Sequence, residues 1–123
     1  MGKAVDAIEK ANTLVIICMG SSGVAGEEVL MRFTRAGKKC LLFRGQSIQP
    51  MTAAIVGPND VVIGISNSSR SVAVVGALKL APSKGAQTIG ITPFKRSPLV
   101  RFTNIALFTP PQSPPPGLKQ PPR

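Results

Sequence analysis

The sequence predicts an α/β fold: three layers around a doubly wound, five-stranded parallel sheet. Three observations carry this. The runs TLVIIC (13–18) and DVVIGI (60–65) are almost unbroken in apolar character, as expected of strands covered on both faces. Segments with helical spacing separate such runs, so strand and helix alternate as βαβ units with right-handed crossovers. Two of the strands lead into serine-rich turns, Gly20-Ser21-Ser22-Gly23 and Ser66-Asn67-Ser68-Ser69-Arg70-Ser71, each followed by a helical pattern. In an open α/β sheet, turns between a strand's carboxyl end and a helix's amino end are where ligands bind.

Taken in order, residues 5–11 read as a short leading helix, with Val5, Ile8 and Ala11 about one turn apart. Strand 13–18 and the first serine turn follow. Residues 24–36 form a helix whose inward stripe is Val29, Leu30 and Phe33, with Glu27 and Glu28 suiting the amino-end dipole and Gly37 as C-cap. Residues 39–43 are a second strand, and 47–56 a helix interrupted or started near Pro50. Gly57-Pro58-Asn59-Asp60 is a turn by composition. Strand 60–65 ends at the second serine loop, after which residues 71–80 are helical through Val74, Val75 and Leu78, and Pro82 stops them. Residues 87–91 form a fourth strand, 92–97 a polar loop, 98–102 a helical turn and 104–108 a fifth strand. The simplest closure is the flavodoxin-like order 2-1-3-4-5, in which the first and third strands are neighbours at the topological switch point. The expected domain spans residues 1–109. Residues 110–123, seven of fourteen of them proline, read as an extended, disordered tail.

Composition narrows the function classes. A chain of 123 residues supports one core. It has no histidine, and its two cysteines, Cys18 and Cys40, stand apart within or beside strands, where buried reduced thiols are expected. Zinc sites and Ser-His or Cys-His catalysis are thereby excluded, and no metal or cofactor is expected. No apolar run is long enough to span a bilayer and no secretory signal pattern opens the chain, so the expectation is a cytoplasmic protein without a membrane partner. Fifteen Lys and Arg against five acids give a net charge of +10. The bases are scattered in runs no longer than two, which reads as a solvated basic surface. Five phenylalanines as the sole aromatics offer no stacking platform for single strands.

The two serine turns carry the chemistry. Free backbone N–H groups and the positive helix end converge there, so the natural guest is an anion such as phosphate. Serine hydroxyls add donors that follow phosphate oxygens or sugar hydroxyls. On neighbouring strands, the two turns face one crevice.

These residues resemble the SIS (sugar isomerase) domain, the phosphosugar-binding module of sugar-phosphate isomerases and of bacterial regulators of the RpiR/MurR type. The resemblance runs from about residue 5 to 109. Its most specific part is Ser66-x-Ser68-x-x-Ser71 after DVVIGI, similar to the serine motif that cradles the sugar phosphate. Gly20-Ser21-Ser22-Gly23 resembles the family's first ligand loop, and Lys84-Gly85-Ala86, Gly90-Ile91-Thr92 and Ser97-Pro98-Leu99 its later landmarks. MRFTRAGKKC, Gln49 with Met51, and SPLVRFTNIALFTPPQ give it the flavour of a regulator's effector domain. The resemblance implies a ligand set of Gly20, Ser21, Ser22, Ser66, Asn67, Ser68 and Ser71, a sugar-phosphate ligand, and a homodimer or tetramer in intact relatives. It also implies that DNA is reached only through a helix-turn-helix domain for which no residues remain. Departures are Cys18 and Ser69 where glycine is usual, Gly45 and Ser47 where Asp and His are frequent, and a proline-rich segment in place of the final helix that helps dimerise relatives.

Two other readings compete with the sensor of a carbohydrate regulator. An aldose–ketose isomerase needs a base beside the carbonyl. The acids here are Asp6, Glu9, Glu27, Glu28 and Asp60, of which Glu27 and Glu28 alone are expected near the crevice, so catalysis is disfavoured. An NADP-binding half-Rossmann unit would use Arg44 for a 2′-phosphate, but Gly20-x-x-Gly23-x-x-Gly26 is not the dinucleotide fingerprint.

Overall fold

The structure, a computed structural model, describes residues 2–20, 23–67 and 72–110. Strand β1 (Thr13–Cys18) lies between β2 (Lys39–Arg44) and β3 (Asp60–Ile65), with β4 (Gln87–Thr92) and β5 (Ile105–Phe108) continuing the sheet. All pairings are parallel and the order is 2-1-3-4-5. Helices α1 (Gly2–Lys10) and α2 (Gly23–Arg35) cover one face, whereas α3 (Ile48–Ile55), α4 (Val72–Leu80) and α5 (Pro98–Arg101) cover the other. This is the expected architecture.

Alternation along β1 explains the layers. Leu14, Ile16 and Cys18 point into the α1–α2 side, and Val15 and Ile17 into the α3–α5 side. All five are fully buried. The covered strand therefore needs apolar residues at every position, which is why its sequence shows no alternation. In α2, Val29, Leu30 and Phe33 pack inward as expected. In α1 the inward stripe is Ala4, Ala7 and Ile8, continued by Ala11 just past its end, while Val5 is 47% exposed. The spacing i, i+3, i+4, i+7 selects the alanines and turns Val5 to solvent.

Several boundaries have local causes. Pro50 is the third residue of α3, in the first turn, where its missing N–H costs nothing. A 3-10 turn (Gly45–Ser47) feeds that helix. Pro82 falls in a second 3-10 turn (Ala81–Lys84), so the chain tightens after α4 ends at Leu80. Strand β5 begins at Ile105 because Asn104 is held by Thr88: its Oδ1 accepts the Thr88 N–H at 3.0 Å and its own N–H donates to Thr88 Oγ1 at 2.9 Å.

One row across the sheet sets how closely the helices approach. Phe43, Ile17, Gly64, Gly90 and Ala106 are successive register partners from β2 to β5. Side chains shrink along this row toward β4. A Cβ on Gly64 would meet Leu78 of α4 at 2.8 Å, and one on Gly90 would overlap Leu99 of α5 and meet Thr103 at 2.8 Å. The missing side chains let α4 and α5 seat directly on the backbone.

Both cysteines are free thiols. Cys18 is buried, but Cys40 is only half-buried, with its Sγ 3.5 Å from the Lys38 carbonyl. The burial expected of Cys40 is thus incomplete, because β2 is an edge strand.

Candidate functional site

The carboxyl ends of the central strands define one rim of the molecule. Cys18 of β1 is in register with Arg44 of β2 and Ile65 of β3, and Ile65 with Ile91 of β4. The chain leaves β1 through Met19 and Gly20 and leaves β3 through Ser66 and Asn67, so the two turns depart side by side. Helices α2 and α4 start from these turns on opposite faces of the sheet, and their amino ends face the same rim. The β1/β3 switch point at which the crevice is expected is therefore formed.

Three of the sequence-predicted ligands lie within the described residues. Gly20 has φ +59° with open space beyond its Cα, a left-handed turn that suits glycine. Ser66 is 2% exposed, and its N–H donates to the Ile91 carbonyl at 3.0 Å. This bond ties the start of the second turn to β4. Asn67 follows, half-buried. Ser21, Ser22, Ser68 and Ser71 lie outside the described residues, as do Ser69 and Arg70.

Arg44 is the rim residue that the alternative, NADP-binding reading would set against a 2′-phosphate. In the structure it holds the first turn of α2. Its Nη2 donates to the Gly23 carbonyl at 3.1 Å and to Glu27 Oε1 at 2.6 Å. The guanidinium lies flat enough on Gly23 that a Cβ there would meet Cζ at 3.0 Å. This corrects the helix-dipole role expected of Glu27: α2 starts at Gly23 and carries no acid in its first turn, so Glu27 serves Arg44 instead. Both side chains are about half exposed, 48% and 57%, so the ion pair is worth about 1 kcal/mol or less. Its function is to fix where the guanidinium stands.

Cys18 fills the corner beneath. Burial pushes its thiol above the ordinary value, and the Arg44 guanidinium pulls it partly back. A Cβ on Gly26 would meet Cys18 Sγ at 2.8 Å and Leu42 Cδ1 at 3.2 Å. The larger residue at position 18 is thus accommodated by the glycine opposite. Gly26→Ala is expected to destabilise the protein by about 1–2 kcal/mol. The same change in a Cys18→Gly background is expected to cost less than half of that, because the sulfur has gone. Chemical denaturation of the four proteins in the cycle measures this coupling, and equal costs in both backgrounds would show that the sulfur contact is not limiting.

The β4–α5 connection forms the far side of the rim. Thr92 is buried and its Oγ1 accepts the Phe94 N–H at 3.2 Å, while Ser97 Oγ donates to the Phe94 carbonyl at 3.0 Å. Side-chain hydrogen bonds therefore order this polar loop.

A cavity of about 550 Å³ opens at the opposite, amino-terminal rim, lined by Lys3, Asp6, Lys10, Asn59, Gln87 and Asn104 among others. Lysines and aspartates alternate around it, so no single sign of charge converges, and none of the described residues Gly20, Ser66 and Asn67 lines it. Ligand sites of parallel sheets form at the carboxyl rim, and this cavity is not the candidate site. Among the described residues, no group of three or more metal-ligating side chains is assembled. No described helix is long and apolar enough to cross a membrane.

The profile of the SIS domain matches residues 7–120. The chain belongs to the SIS domain family. Relatives of this SIS domain include an uncharacterized HTH-type transcriptional regulator of Caldanaerobacter subterraneus, 31% identical over 106 residues, covering 86% of this chain and 38% of that protein. The bifunctional protein glk of Burkholderia thailandensis is 27% identical, covering 87% and 16%. This SIS domain thus spans less than two fifths of these curated relatives. Among solved structures, the Vibrio vulnificus NanR protein complexed with ManNAc-6P superposes with a TM-score of 0.82 at 25% identity, covering 94% of this chain and 44% of that one. The sugar isomerase domain of an RpiR transcription factor from Sphaerobacter thermophilus gives 0.81 at 25% identity, covering 89% and 62%. The fold expected from the alternating elements and the regulator kinship expected from the family resemblance are therefore both present.

Proposed function

We propose that this SIS domain is the sensing module of a carbohydrate-responsive transcriptional regulator and binds a phosphorylated sugar without transforming it. The observation that supports the reading is the register of Cys18 with Ile65, which sets side by side the two strand ends that lead into the serine turns, with the helices α2 and α4 following them. In this reading Ser66 through its hydroxyl, and Ser68 and Ser71 through hydroxyl and backbone donors, hold the phosphate, Ser21 and Ser22 orient phosphate or sugar, and Gly20 and Asn67 complete the lips. Arg44, paired with Glu27, buttresses the first turn of α2, whose free backbone N–H groups favour an anionic guest. Kinship with NanR, complexed with ManNAc-6P, supports a phosphosugar as the class of ligand. DNA is then contacted through a separate reader domain, as the HTH-type relatives suggest.

Nothing at the described rim provides a general base. Glu27 is engaged by Arg44, and the exposed Glu28, one position on, points elsewhere on the helix. A thermal-shift screen against sugar phosphates, amino-sugar phosphates and NADP is expected to give stabilisation by a sugar phosphate and none by NADP. NMR of the stabilising compound after incubation is expected to show one unchanged sugar. Stabilisation by NADP alone, or appearance of the ketose or aldose isomer, would overturn the reading.

A further inference from the structure

The charges of this chain are segregated. All five acids lie at or before Asp60, among seven bases, whereas residues 61–123 carry eight bases and no acid. The fold converts this into a surface. Helices α1 and α2 and the first residue of β3 hold the acids, so α4, α5 and the β4–β5 connection present cations alone. Phe94, Lys95, Arg96, Arg101 and Phe102 are all exposed within that connection, and Lys79 at the end of α4 is exposed beside them. The Lys79 ammonium stands 4.8 Å from the centre of the Phe102 ring, joining the two elements into one patch. Arg44 and Glu27 form the single ion pair among the described residues, so the patch cations are uncompensated.

The two rings matter as much as the charge. Phe94, in the loop four residues before α5, is 40% exposed, and Phe102, immediately after that helix, 36%. Thr92 Oγ1 accepts the Phe94 N–H and Thr88 Oγ1 donates to the Phe102 carbonyl, so the backbones that carry the two rings are anchored at points on β4 roughly 13 Å apart, a span of a few nucleotides. Five phenylalanines had offered no stacking platform by composition, but the fold places two of them among four cations. Cations spaced between exposed aromatic rings are the chemistry that tracks a single-stranded backbone and stacks its bases. A duplex keeps its bases stacked internally and makes no use of the rings. An anionic membrane surface calls for an amphipathic helix with an apolar face to insert, and α5 has four residues with Leu99 buried.

We infer that the α4–α5 surface of this protein binds single-stranded nucleic acid, with phosphates on Lys79, Lys95, Arg96 and Arg101 and bases against Phe94 and Phe102. This surface is separate from the phosphosugar reading and stands without it.

The test is fluorescence anisotropy with a labelled oligothymidylate of about 12 nucleotides, a duplex of equal length, and phosphatidylserine-containing vesicles. The single strand is expected to bind more tightly than the duplex or the vesicles. Its affinity is expected to fall with salt at a log–log slope of roughly −2 to −3, from up to four phosphate contacts. Phe94→Leu is expected to weaken single-strand binding roughly tenfold at an unchanged melting temperature. The pair Lys95→Gln and Arg96→Gln is expected to reduce the slope by about one unit or more. Lys3→Gln with Lys10→Gln, on the opposite layer, is expected to change neither. Absence of binding at low salt, equal or tighter binding of duplex or vesicles, indifference to Phe94→Leu, or an equal loss from the Lys3 and Lys10 changes would each overturn the inference.

Discussion

Gly90→Val is expected to lower the melting temperature by about 10 °C or more. The cause lies in the row of register partners Ile17, Gly64, Gly90 and Ala106. A Cβ at position 90 occupies the place of Leu99, which is 2% exposed and has nowhere to retreat, and it also crowds Thr103. Overpacking a close-packed site costs about 1–3 kcal/mol and occasionally more. Valine adds two further methyl groups, placing this site at or above 3 kcal/mol. At about 4–8 °C per kcal/mol for a domain near this size, the shift is well beyond measurement error. Gly64→Val is expected to cost somewhat less, because Val74 and Leu78 of α4 share the displacement. Ala106→Val on the edge strand, half-buried, is the control and is expected to change the midpoint little. Thermal unfolding followed by circular dichroism distinguishes them. A neutral Gly90→Val would mean that α5 is free to move off the sheet.

Ser68→Ala is expected to weaken sugar-phosphate binding roughly tenfold or more while leaving thermal stability nearly unchanged. In the proposed cradle this hydroxyl donates to a phosphate oxygen, and losing one hydrogen bond to a charged group costs about 1.5–3 kcal/mol. A factor of ten corresponds to about 1.4 kcal/mol. The stability expectation follows from position in the sequence: a residue between a strand and a helix adds little to the core, which residues 61–65 of the preceding strand help to form. Isothermal calorimetry of the two proteins provides the comparison. Equal affinities would remove Ser68 from the site. A parallel loss of affinity and melting temperature would make its role one of folding instead.

The sequence made most of the sheet legible because its strands are buried on both faces. TLVIIC and DVVIGI match β1 and β3 residue for residue, and the glycine that follows the end of α2 was readable from the helical period alone. The strand order followed from the alternation of elements and the right-handed crossover. What escaped was whatever depends on distance between segments. Val5 has a helical partner spacing with Ile8, yet the alanines beside it are small enough to seat α1 on the sheet, and they take the buried face. Glu27 stands near a helix start, where a dipole role is the general expectation, and only the fold brings Arg44 from seventeen residues away to claim it. Gly64 and Gly90 look like breaks in good strands until the register places them under Leu78 and Leu99. Segregation of the acids was present in the sequence from the start, but its meaning as a surface required knowing that α4 and α5 share one layer.

The central claim is that the ligand sits at the carboxyl rim between β1 and β3. Backbone amide chemical shifts recorded during titration with ManNAc-6P and other sugar phosphates test it most directly. The account predicts saturable shifts at Gly20, Ser66 and Asn67 for at least one sugar phosphate, with Asn59, Gln87 and Asn104 at the opposite rim unmoved. Shifts confined to the residues of the amino-terminal cavity, or no saturable shift with any sugar phosphate, would contradict it.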